Sequence, residues 1–394
     1  MRKSLSFILL MLACLSTYAQ KTNVNREFRF AENQIDFMLT EINNLPAGGK
    51  EVSPRTVEGD KLKMSVAGDW TSGFFPGVLW FLYEYSGDNK WKIEAQKYTT
   101  NLKSQQYNKG THDLGFMIYD SFGSGYKLTK DTSYKTVLIN AAKSLSTRFH
   151  SIPGVIQSWE HLPELWKYPV IIDNMMNLEL LFEATKLSGD SSFYKIAVQH
   201  ANNTLKNHFR KDFSSYHVVD YNPEDGSVIK KTTHQGYANE SSWARGQAWG
   251  LYGFTMCFRE TGDSTYLNQA KNIATYILNS PKIPEDMVPY WDYDDPAIPN
   301  APRDVSAAAI TASALFELAN ETKEPYYEAK AQQILKSLIK NYKSPENGEK
   351  GFITDHSTGH KPYKSEVDVP IIYADYYYLE ALLRSQKNYF ETGS

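Results

Sequence analysis

The sequence has very little cysteine and no strong net charge of either sign. Its 394 residues include two cysteines, and the formal net charge is −3. Only Cys257 lies beyond the first twenty residues, so a chain trimmed there could form neither an internal disulfide nor a cysteine-based structural metal site. A net charge this small provides no basic field to hold a nucleic acid. Any anionic ligand must therefore bind at a local site.

Several sequence signatures of known chemistry are also missing. No G-x-S-x-G, P-loop or G-x-G-x-x-G motif occurs, so nothing favours a serine hydrolase, an NTPase or a nicotinamide enzyme. Three histidines could be metal ligands but lack the HxxxH or HxH spacing; they are His112, His217 and His234. Three aspartates resemble the start of a calcium loop, without its Gly and terminal Glu; they are Asp292, Asp294 and Asp295. We interpret the aspartates as a solvated acidic turn and predict no metal and no cofactor.

The first nineteen residues have the pattern of a secretory signal peptide. Arg2 and Lys3 precede an apolar run over residues 5–15, and small residues follow at the cleavage positions. The run is too short to span a bilayer comfortably. We therefore predict removal of residues 1–19 and export, to the periplasm of a Gram-negative cell or otherwise to the medium. Cys14 leaves a lipoprotein as the alternative.

A short phrase recurs along the chain and predicts the fold. Each copy is a turn, an aromatic residue and the start of an amphipathic helix; the copies are GDNKWKIEA, KDTSYKTVL, GDSSFYKIA, GDSTYLNQA and KEPYYEAKA. An apolar, aromatic-rich segment precedes every copy, a sixth such segment closes the chain, and a helix from Arg26 opens it. Six outer and six inner helices in alternation predict an all-α (α/α)6 barrel. An open solenoid or two helical bundles remain alternatives.

The rest of the chain adds little to this organisation. One stretch, from Tyr216 with a turn near Pro223 to Gly226, is typical of a small inserted β-hairpin. No low-complexity linker interrupts residues 20–394, so we predict a single barrel domain. Cys257 lies in an apolar helical run and is expected to be a buried thiol. The aromatic content of 14% fits either a tyrosine-rich core or a sugar-binding site.

The unusual residues lie in the long connections that lead into the inner helices. Because all inner helices of an alternating barrel run the same way, these connections should meet at one end, which we call the mouth. Converging helix N-termini also favour an anion there. The segments concerned are DWTSGFFPG, THDLGF, IIDNMMN, WARGQAWG, RDVSAAA and EVDVPII.

Individual residues in these segments also have ordinary structural interpretations. Asp113 and Asp173 each precede a helix and could be N-caps. Arg245 lies four residues before Trp249, so the two could form a structural stacking pair.

Four motifs together resemble a known enzyme family. WTSGFFPG, HDLGF, IIDNMMN and WARGQAWG, in this order, are similar to those of glycoside hydrolase family 88, the unsaturated glucuronyl hydrolases. The resemblance covers the chain from about Arg26 to Arg384 and implies an (α/α)6 barrel. It also implies release of a 4,5-unsaturated uronic acid from the non-reducing end of lyase-generated oligosaccharides, by hydration of the C4–C5 double bond.

The resemblance further implies roles for particular residues. Asp173 would be the general acid and base, and Asp113 a second essential carboxylate that holds sugar hydroxyls. Arg245 would grip the uronate carboxylate with two hydrogen bonds. The remaining substrate-binding candidates are Trp70, Trp249 and Trp159, which would stack on sugar, and His112, His217 and Gln235.

Two other functions stay open at this stage. An unsaturated rhamnogalacturonyl hydrolase would share the barrel and the chemistry but act on pectin fragments. A non-catalytic glycan-binding protein would bind long saturated chains and would not need both carboxylates at one mouth. The loop DHSTGHKPYK, residues 355–364, could contact a sulfate or could be an ordinary polar loop. Neither the source polysaccharide nor the oligomeric state follows from the sequence.

Overall fold

The computed structural model describes residues 22–46 and 48–386. The predicted signal peptide and Cys14 lie outside these ranges. Within them, no helix combines the length and the apolar character needed to cross a membrane.

The described part of the chain contains six amphipathic helices that form the outer layer. They are α1 (Val24–Asn43), α3 (Asn89–Thr100), α5 (Thr132–Ser146), α7 (Ser191–Asn207), α9 (Ser264–Asn279) and α11 (Pro325–Asn341). Four of them begin with an aspartate whose side chain accepts a hydrogen bond from the second backbone N–H of the helix. These N-caps are Asp88, Asp131, Asp190 and Asp263. The recurring phrase therefore starts each helix as predicted.

Six inner segments alternate with the outer helices. They are α2 (Phe74–Ser86), a π-helix (Gly115–Gly123) continued by α4 (Ser124–Thr129), a 3₁₀ helix (Ile172–Asn177) continued by α6 (Leu178–Ser188), α8 (Ala244–Thr261), α10 (Val305–Thr322) and α12 (Ile372–Ser385). These segments are buried nearly all round and share one large hydrophobic core with the outer helices. The predicted (α/α)6 barrel is confirmed.

The connections have the predicted asymmetry. Each of the first five inner segments turns into the next outer helix within two residues, and the turn passes through a left-handed backbone. Gly87 (φ 69°) makes this turn after α2, and Lys130 (φ 57°) makes it after α4. The return connections are long and all reach the same end of the barrel, so they build the mouth.

Short strands occupy the long connections. They are β1 (Glu51–Glu58), β2 (Lys61–Val66), β3 (Phe149–His150), β4 (Val155–Ile156), β5 (Pro169–Ile171), β6 (Val218–Tyr221), β7 (Val228–Thr232), β8 (Ser357–His360) and β9 (Ser365–Val369). The predicted hairpin is confirmed as β6–β7, and β5 joins it in a three-stranded antiparallel sheet.

The expectation of a single β segment was wrong. β1 pairs with β2, and β8 pairs with β9, each as a separate antiparallel ribbon. β1 contains Pro54 and three charged residues, and β8 reads Ser-Thr-Gly-His, so neither has the apolar alternation that marks a strand. Both ribbons form because they pack on each other and on the mouth, where Thr56 bridges to Ile371.

Candidate active site

Asp173 lies in the first turn of the third inner segment, directly after strand β5. Its neighbours Ile172 and Met175 are completely buried, and the residue itself is 8% exposed. Burial raises the pKa of the Asp173 carboxyl to about 7; the Arg245 charge lowers this pKa, and the Asp113 charge raises it. Its side chain caps no helix. A carboxyl in this setting holds its proton close to neutral pH.

Strand pairing places His217 beside Asp173. Ile171 pairs with Val218 across β5 and β6, and the backbone N–H of Ile172 donates to the carbonyl of His217 at 3.1 Å, which brings His217 next to the following residue, Asp173. Nε2 of His217 lies 3.8 Å from Oδ2 of Asp173. Nδ1 of His217 accepts hydrogen bonds of 3.0 Å from the backbone N–H groups of His234 and Gln235. Because Nδ1 is an acceptor and burial lowers the pKa of the ring well below its usual value, the neutral ring carries its proton on Nε2, facing Asp173.

Three buried polar atoms in this site have no hydrogen-bond partner within the described residues. They are Oδ2 of Asp173, Nε2 of His217 and Nε of Arg245. Buried polar groups in native proteins are almost always paired, so such a concentration requires an explanation. The Asp173 carboxyl oxygen is a hydrogen-bond acceptor, and donors from separate elements lie around it. This arrangement is expected where a polar ligand binds.

Asp113 approaches the same place from the second inner segment. Its Oδ2 accepts a 2.8 Å hydrogen bond from the Thr111 hydroxyl, and its Oδ1 lies 3.3 Å from Nε2 of the buried His112. The side chain is 18% exposed and caps no helix. The π-helix begins two residues later, and such helices are frequent at functional sites. At Gly115 a Cβ would lie 2.5 Å from Cα of Asn177, so only glycine allows the Asp113 and Asp173 segments this close approach.

The Arg245 guanidinium is already held by the protein. Nη1 donates to Oδ2 of Asp304 at 2.7 Å and to the carbonyl of Thr358 at 2.6 Å, and Nη2 donates to the carbonyl of Gly359 at 2.6 Å. The group is 1% exposed. Two hydrogen bonds from Arg245 to a substrate carboxylate would therefore compete with these contacts. The guanidinium lies over the ring of Trp243, at 4.5 Å from its centroid, so the suggested stacking pair with Trp249 is not formed.

Trp249 does not present the sugar-stacking face that the sequence suggested. It is 0% exposed, because Phe116 and Tyr377 cover its ring at centroid distances of 5.2 and 5.4 Å. Its position one helical turn after Arg245 directs it into the barrel interior. Its indole N–H instead faces Asp173 and lowers the pKa of that carboxyl.

The other two tryptophans are half-buried at the mouth. Trp70 packs against Tyr373 at a centroid distance of 5.0 Å. Trp159 lies against His161 at 5.1 Å and His234 at 5.5 Å. These rings lie on the connections to the first and third inner segments and keep partly exposed faces, which fits the predicted stacking role.

The loop at residues 355–364 folds over the mouth as part of the β8–β9 ribbon. Nε2 of Gln235 donates to the carbonyl of Gly359 at 3.2 Å, so Gln235 anchors the ribbon. His360 stacks on Tyr363 at 4.3 Å, and both of its ring nitrogens are buried without a partner in the described residues. The Lys361 ammonium is bound to Asp295 at 2.9 Å.

The interpretation of the three aspartates as a solvated turn was wrong for Asp292 and Asp295, whereas the side chain of Asp294 is 39% exposed. Asp292 is 0% and Asp295 is 5% exposed, because the turn lies beneath the mouth. Oδ2 of Asp292 accepts from the Tyr237 backbone N–H at 2.8 Å and from the Ser241 hydroxyl at 2.7 Å. These carboxylates hold neighbouring loops together through hydrogen bonds. Across residues 22–46 and 48–386, no group of three or more His, Cys, Asp or Glu is arranged to hold a metal ion.

Sequence reasoning missed three residues at the mouth. Asp304 binds Arg245, Tyr373 lies under Trp70 with its hydroxyl buried and unpaired within the described residues, and His360 lines the wall. Asp304 and Tyr373 do lie in RDVSAAA and just after EVDVPII, the segments assigned to the mouth. Their position was the available signal, but their residue types gave no reason to select them.

Comparison with known proteins agrees with this geometry. The family model described as Glycosyl Hydrolase Family 88 matches residues 50–387. The chain belongs to glycoside hydrolase family 88. It is 46% identical over 373 residues to an unsaturated glucuronyl hydrolase of Formosa agariphila, covering 93% of this chain and 92% of the relative. A Bacillus sp. (strain GL1) unsaturated glucuronyl hydrolase is 37% identical over 330 residues, covering 81% and 86% of the two chains.

Solved structures give the same result. A crystal structure of an unsaturated glucuronyl hydrolase specific for heparin superposes with a TM-score of 0.86 at 44% identity, covering 91% of this chain and 96% of the other. The Streptococcus agalactiae enzyme gives a TM-score of 0.85 at 32% identity, covering 93% and 94%. The protein is therefore a glycosidase, and the family resemblance inferred from the four motifs is confirmed.

Proposed function

We propose that this glycosidase releases a 4,5-unsaturated uronic acid from the non-reducing end of lyase-generated glycosaminoglycan fragments, by hydrating the C4–C5 double bond. The observation that carries the proposal is the Asp173 carboxyl, which is buried, has a pKa of about 7, and faces donors that lack partners within the described residues. An ordinary glycosidase needs two carboxyl groups with separate roles. Hydration of a vinyl ether needs one carboxyl that first donates and then accepts a proton.

The proposed reaction begins at the alkene. The protonated Asp173 gives its proton to C4, and positive charge develops at C5 and the ring oxygen. Water then adds to C5 and loses a proton to the Asp173 carboxylate, which restores the acid. The resulting hemiketal opens by breaking the bond between C5 and the ring oxygen. The hemiacetal left at C1 then collapses to an aldehyde and expels the neighbouring sugar.

The surrounding residues support this cycle in different ways. Asp113 opposes ionisation of Asp173 between turnovers, and its own oxygens are placed to accept sugar hydroxyls. The Nε2–H of His217 can donate to the substrate or to the Asp173 carboxylate, since its other nitrogen is fixed as an acceptor. The Arg245 charge would stabilise the carboxylate formed after proton transfer and would favour the anionic uronate. These groups match the charges that the reaction develops.

The substrate class is proposed from the relatives. The Formosa and Bacillus relatives are unsaturated glucuronyl hydrolases, and one similar structure is of an enzyme specific for heparin. Three Streptococcus relatives, at 34–36% identity, are unsaturated chondroitin disaccharide hydrolases. Glycosaminoglycan fragments are therefore favoured over pectin fragments. Export through residues 1–19 is proposed on sequence grounds and would deliver the enzyme to extracytoplasmic lyase products.

The loop at residues 355–364 gives little support to a sulfate site. Lys361 is paired with the buried Asp295, and His356 is paired with Asp368 at 2.7 Å. Among the residues that the structure describes, Lys364 is the loop cation without an ion pair. We propose that the loop acts mainly as a wall of the mouth, with His360 and Tyr363 facing the leaving sugar.

A panel of unsaturated disaccharides tests the function. Chondroitin, hyaluronan, heparin and rhamnogalacturonan fragments, sulfated and unsulfated, would be followed by loss of the ultraviolet absorbance of the double bond. We expect turnover of at least one glycosaminoglycan disaccharide and its loss in Asp173→Asn. Asp225→Asn is the matched control, because Asp225 is exposed in the β6–β7 turn and its substitution should leave the rate unchanged.

The outcomes separate the candidate functions. Turnover of pectin fragments alone would indicate the rhamnogalacturonyl hydrolase instead. Binding of saturated chains without any turnover would indicate a glycan-binding protein. Normal turnover by Asp173→Asn would refute the assignment of the acid.

A further inference from the structure

Asp304 contacts Arg245 with one carboxyl oxygen and a helix N-terminus with the other. Its Oδ2 accepts a 2.7 Å hydrogen bond from Nη1 of Arg245. Its Oδ1 is the N-cap of α10 and accepts from the backbone N–H groups of Ser306 at 3.2 Å and Ala307 at 3.4 Å. The Asp304 side chain is 0% exposed. This carboxylate is therefore fixed in position, and it joins the fourth and fifth inner segments at the mouth.

Helix capping alone does not require a charged residue at this position. Serine and asparagine cap helices about as well as aspartate does. The N-cap aspartates of the outer helices, such as Asp263 at α9, are exposed to water, whereas Asp304 is buried. A buried charge is costly unless a charge of opposite sign accompanies it. The choice of aspartate at position 304 is therefore explained by the cation that it binds.

Arg245 is a buried cation with two carboxyl groups near it. The residue is 1% exposed, and a charge in such a place needs a counter-ion. Asp304 makes the direct contact with the guanidinium. The second carboxyl is that of Asp173, whose pKa burial raises to about 7 while the Arg245 charge acts in the opposite direction. Arg245 therefore favours ionisation of the acid that the proposed reaction needs in its protonated form.

No other described group near these side chains takes over the role of counter-ion. The titratable groups that face Asp173 or Arg245 from neighbouring elements are Asp113, His217, His360 and Tyr373. Burial lowers the pKa of both histidines and raises that of the tyrosine, so these three are uncharged near neutral pH. Asp113 directs its oxygens to Thr111 and His112. The negative charge that balances Arg245 is thus the charge of Asp304.

We propose that Asp304 is a positioning residue for the acid step: it serves as the counter-ion of Arg245, so that Asp173 keeps its proton for the alkene. Without the charge of Asp304, Asp173 would become the counter-ion and would begin the cycle already ionised. Asp304 itself touches no reacting atom. The inference rests on the proposed function, because it assigns a role within the same proton transfer.

Asp304→Asn and Asp304→Ser test this role through the pH dependence of kcat/KM. Both variants remove the charge, and serine keeps a good helix cap. We expect the alkaline limit of activity to fall by about one pH unit or more, because an unbalanced cation beside a carboxyl favours its ionised form. Activity lost near neutral pH should return on acidification. Asp263→Asn changes an N-cap aspartate that has no cation to balance, so it should keep the wild-type limit.

The double variant Arg245→Met/Asp304→Asn shows whether Asp304 acts through Arg245. Once the cation is removed, no counter-ion is needed, so the alkaline limit of the remaining activity should equal or exceed the wild-type limit. If Asp304 had only a structural role, the double variant would keep the lowered limit of the single variant.

Urea unfolding gives a measurement that requires no turnover. The stability gained by Asp173→Asn between pH 5 and pH 8 reports how strongly the folded protein holds the proton of Asp173. In the Asp304→Ser background this gain should fall to about half or less of its value in the wild-type background. If neither single variant folds, the double variant replaces the whole buried pair, and there the gain should be at least as large as in wild type.

The outcomes distinguish this inference from the proposed function. An alkaline limit that does not move in the Asp304 variants, a lowered limit in the double variant, or an unchanged stability gain in the Asp304→Ser background would each overturn the role of Asp304. A wild-type protein that turns over no unsaturated disaccharide would contradict the proposed function instead. The urea comparison would then still decide whether Asp304 keeps the proton on Asp173.

Discussion

Replacing Asp173 by asparagine should stabilise the protein at alkaline pH while it abolishes turnover. Burial raises the pKa of this carboxyl from 3.8 to about 7. That difference corresponds to roughly 4 kcal/mol in favour of the neutral acid in the folded state. Above pH 7 the folded wild type must carry a buried charge that the unfolded chain carries in water. Asparagine has the same shape and no charge, so the variant avoids this cost.

The direction in which stability changes with pH follows from the difference in proton binding between the folded and unfolded states. Because the folded pKa is raised, the folded state binds the Asp173 proton more tightly, and wild-type stability falls as the pH rises from about 4 to 7. The advantage of Asp173→Asn should therefore grow by about 1.4 kcal/mol per pH unit over this range. Between pH 5 and pH 8 the gain relative to wild type should be roughly 3 kcal/mol.

Urea unfolding of both proteins at pH 5 and pH 8 measures this difference. Other buried carboxyls with raised pKa, such as Asp375 at about 7, are common to both proteins, so their contributions cancel. Asp225→Asn serves as the exposed control and should show no such gain. A stability difference between Asp173→Asn and wild type that does not change with pH would refute the raised pKa, and with it the reasoning about the acid.

Three further predictions follow from contacts around the site and in the core. Asp113→Asn should move the alkaline limit of the residual activity to lower pH, measured as a pH–rate profile, because the Asp113 charge raises the pKa of Asp173; an unmoved limit would show that the two carboxyls do not interact. Arg245→Ala should raise KM and lower the free energy of unfolding by about 3–5 kcal/mol, because it leaves the buried Asp304 without its cation, and unchanged stability in urea unfolding would contradict the ion pair. Cys257 is fully buried and its pKa is raised by burial, so a thiol reagent should label it only in denaturant, and rapid labelling of the native protein would contradict its position.

The sequence was sufficient to predict the barrel because its helices carry strong local signals. The recurring turn phrase places an aspartate at the N-cap of α3, α5, α7 and α9, and apolar segments precede each one. The β1–β2 and β8–β9 ribbons lack such signals. Their strands form through pairing with distant residues, as at Thr56 and Ile371, and a pattern confined to one segment cannot reveal that.

The candidate site was predictable to a similar degree. Asp113 and Asp173 could be placed at the mouth because each lies in a connection to an inner helix. The commitment of Arg245 to Asp304 was not predictable, since the two residues are 59 positions apart and nothing in either segment specifies the pair. The burial of Trp249 depends on Phe116 and Tyr377, which come from other inner segments. Segment positions could thus be inferred, whereas side-chain partners depend on the assembled barrel.

The pH dependence of kcat/KM on an unsaturated disaccharide tests most directly whether Asp173 acts as a protonated acid. This parameter reports the ionisation of the free enzyme. The rate, followed by loss of the alkene absorbance, should fall about tenfold per pH unit above pH 7, where the Asp173 proton is lost. A rate that stays level or rises up to pH 9 would contradict the account, because the group that protonates C4 would then not be a carboxyl with a pKa near neutrality.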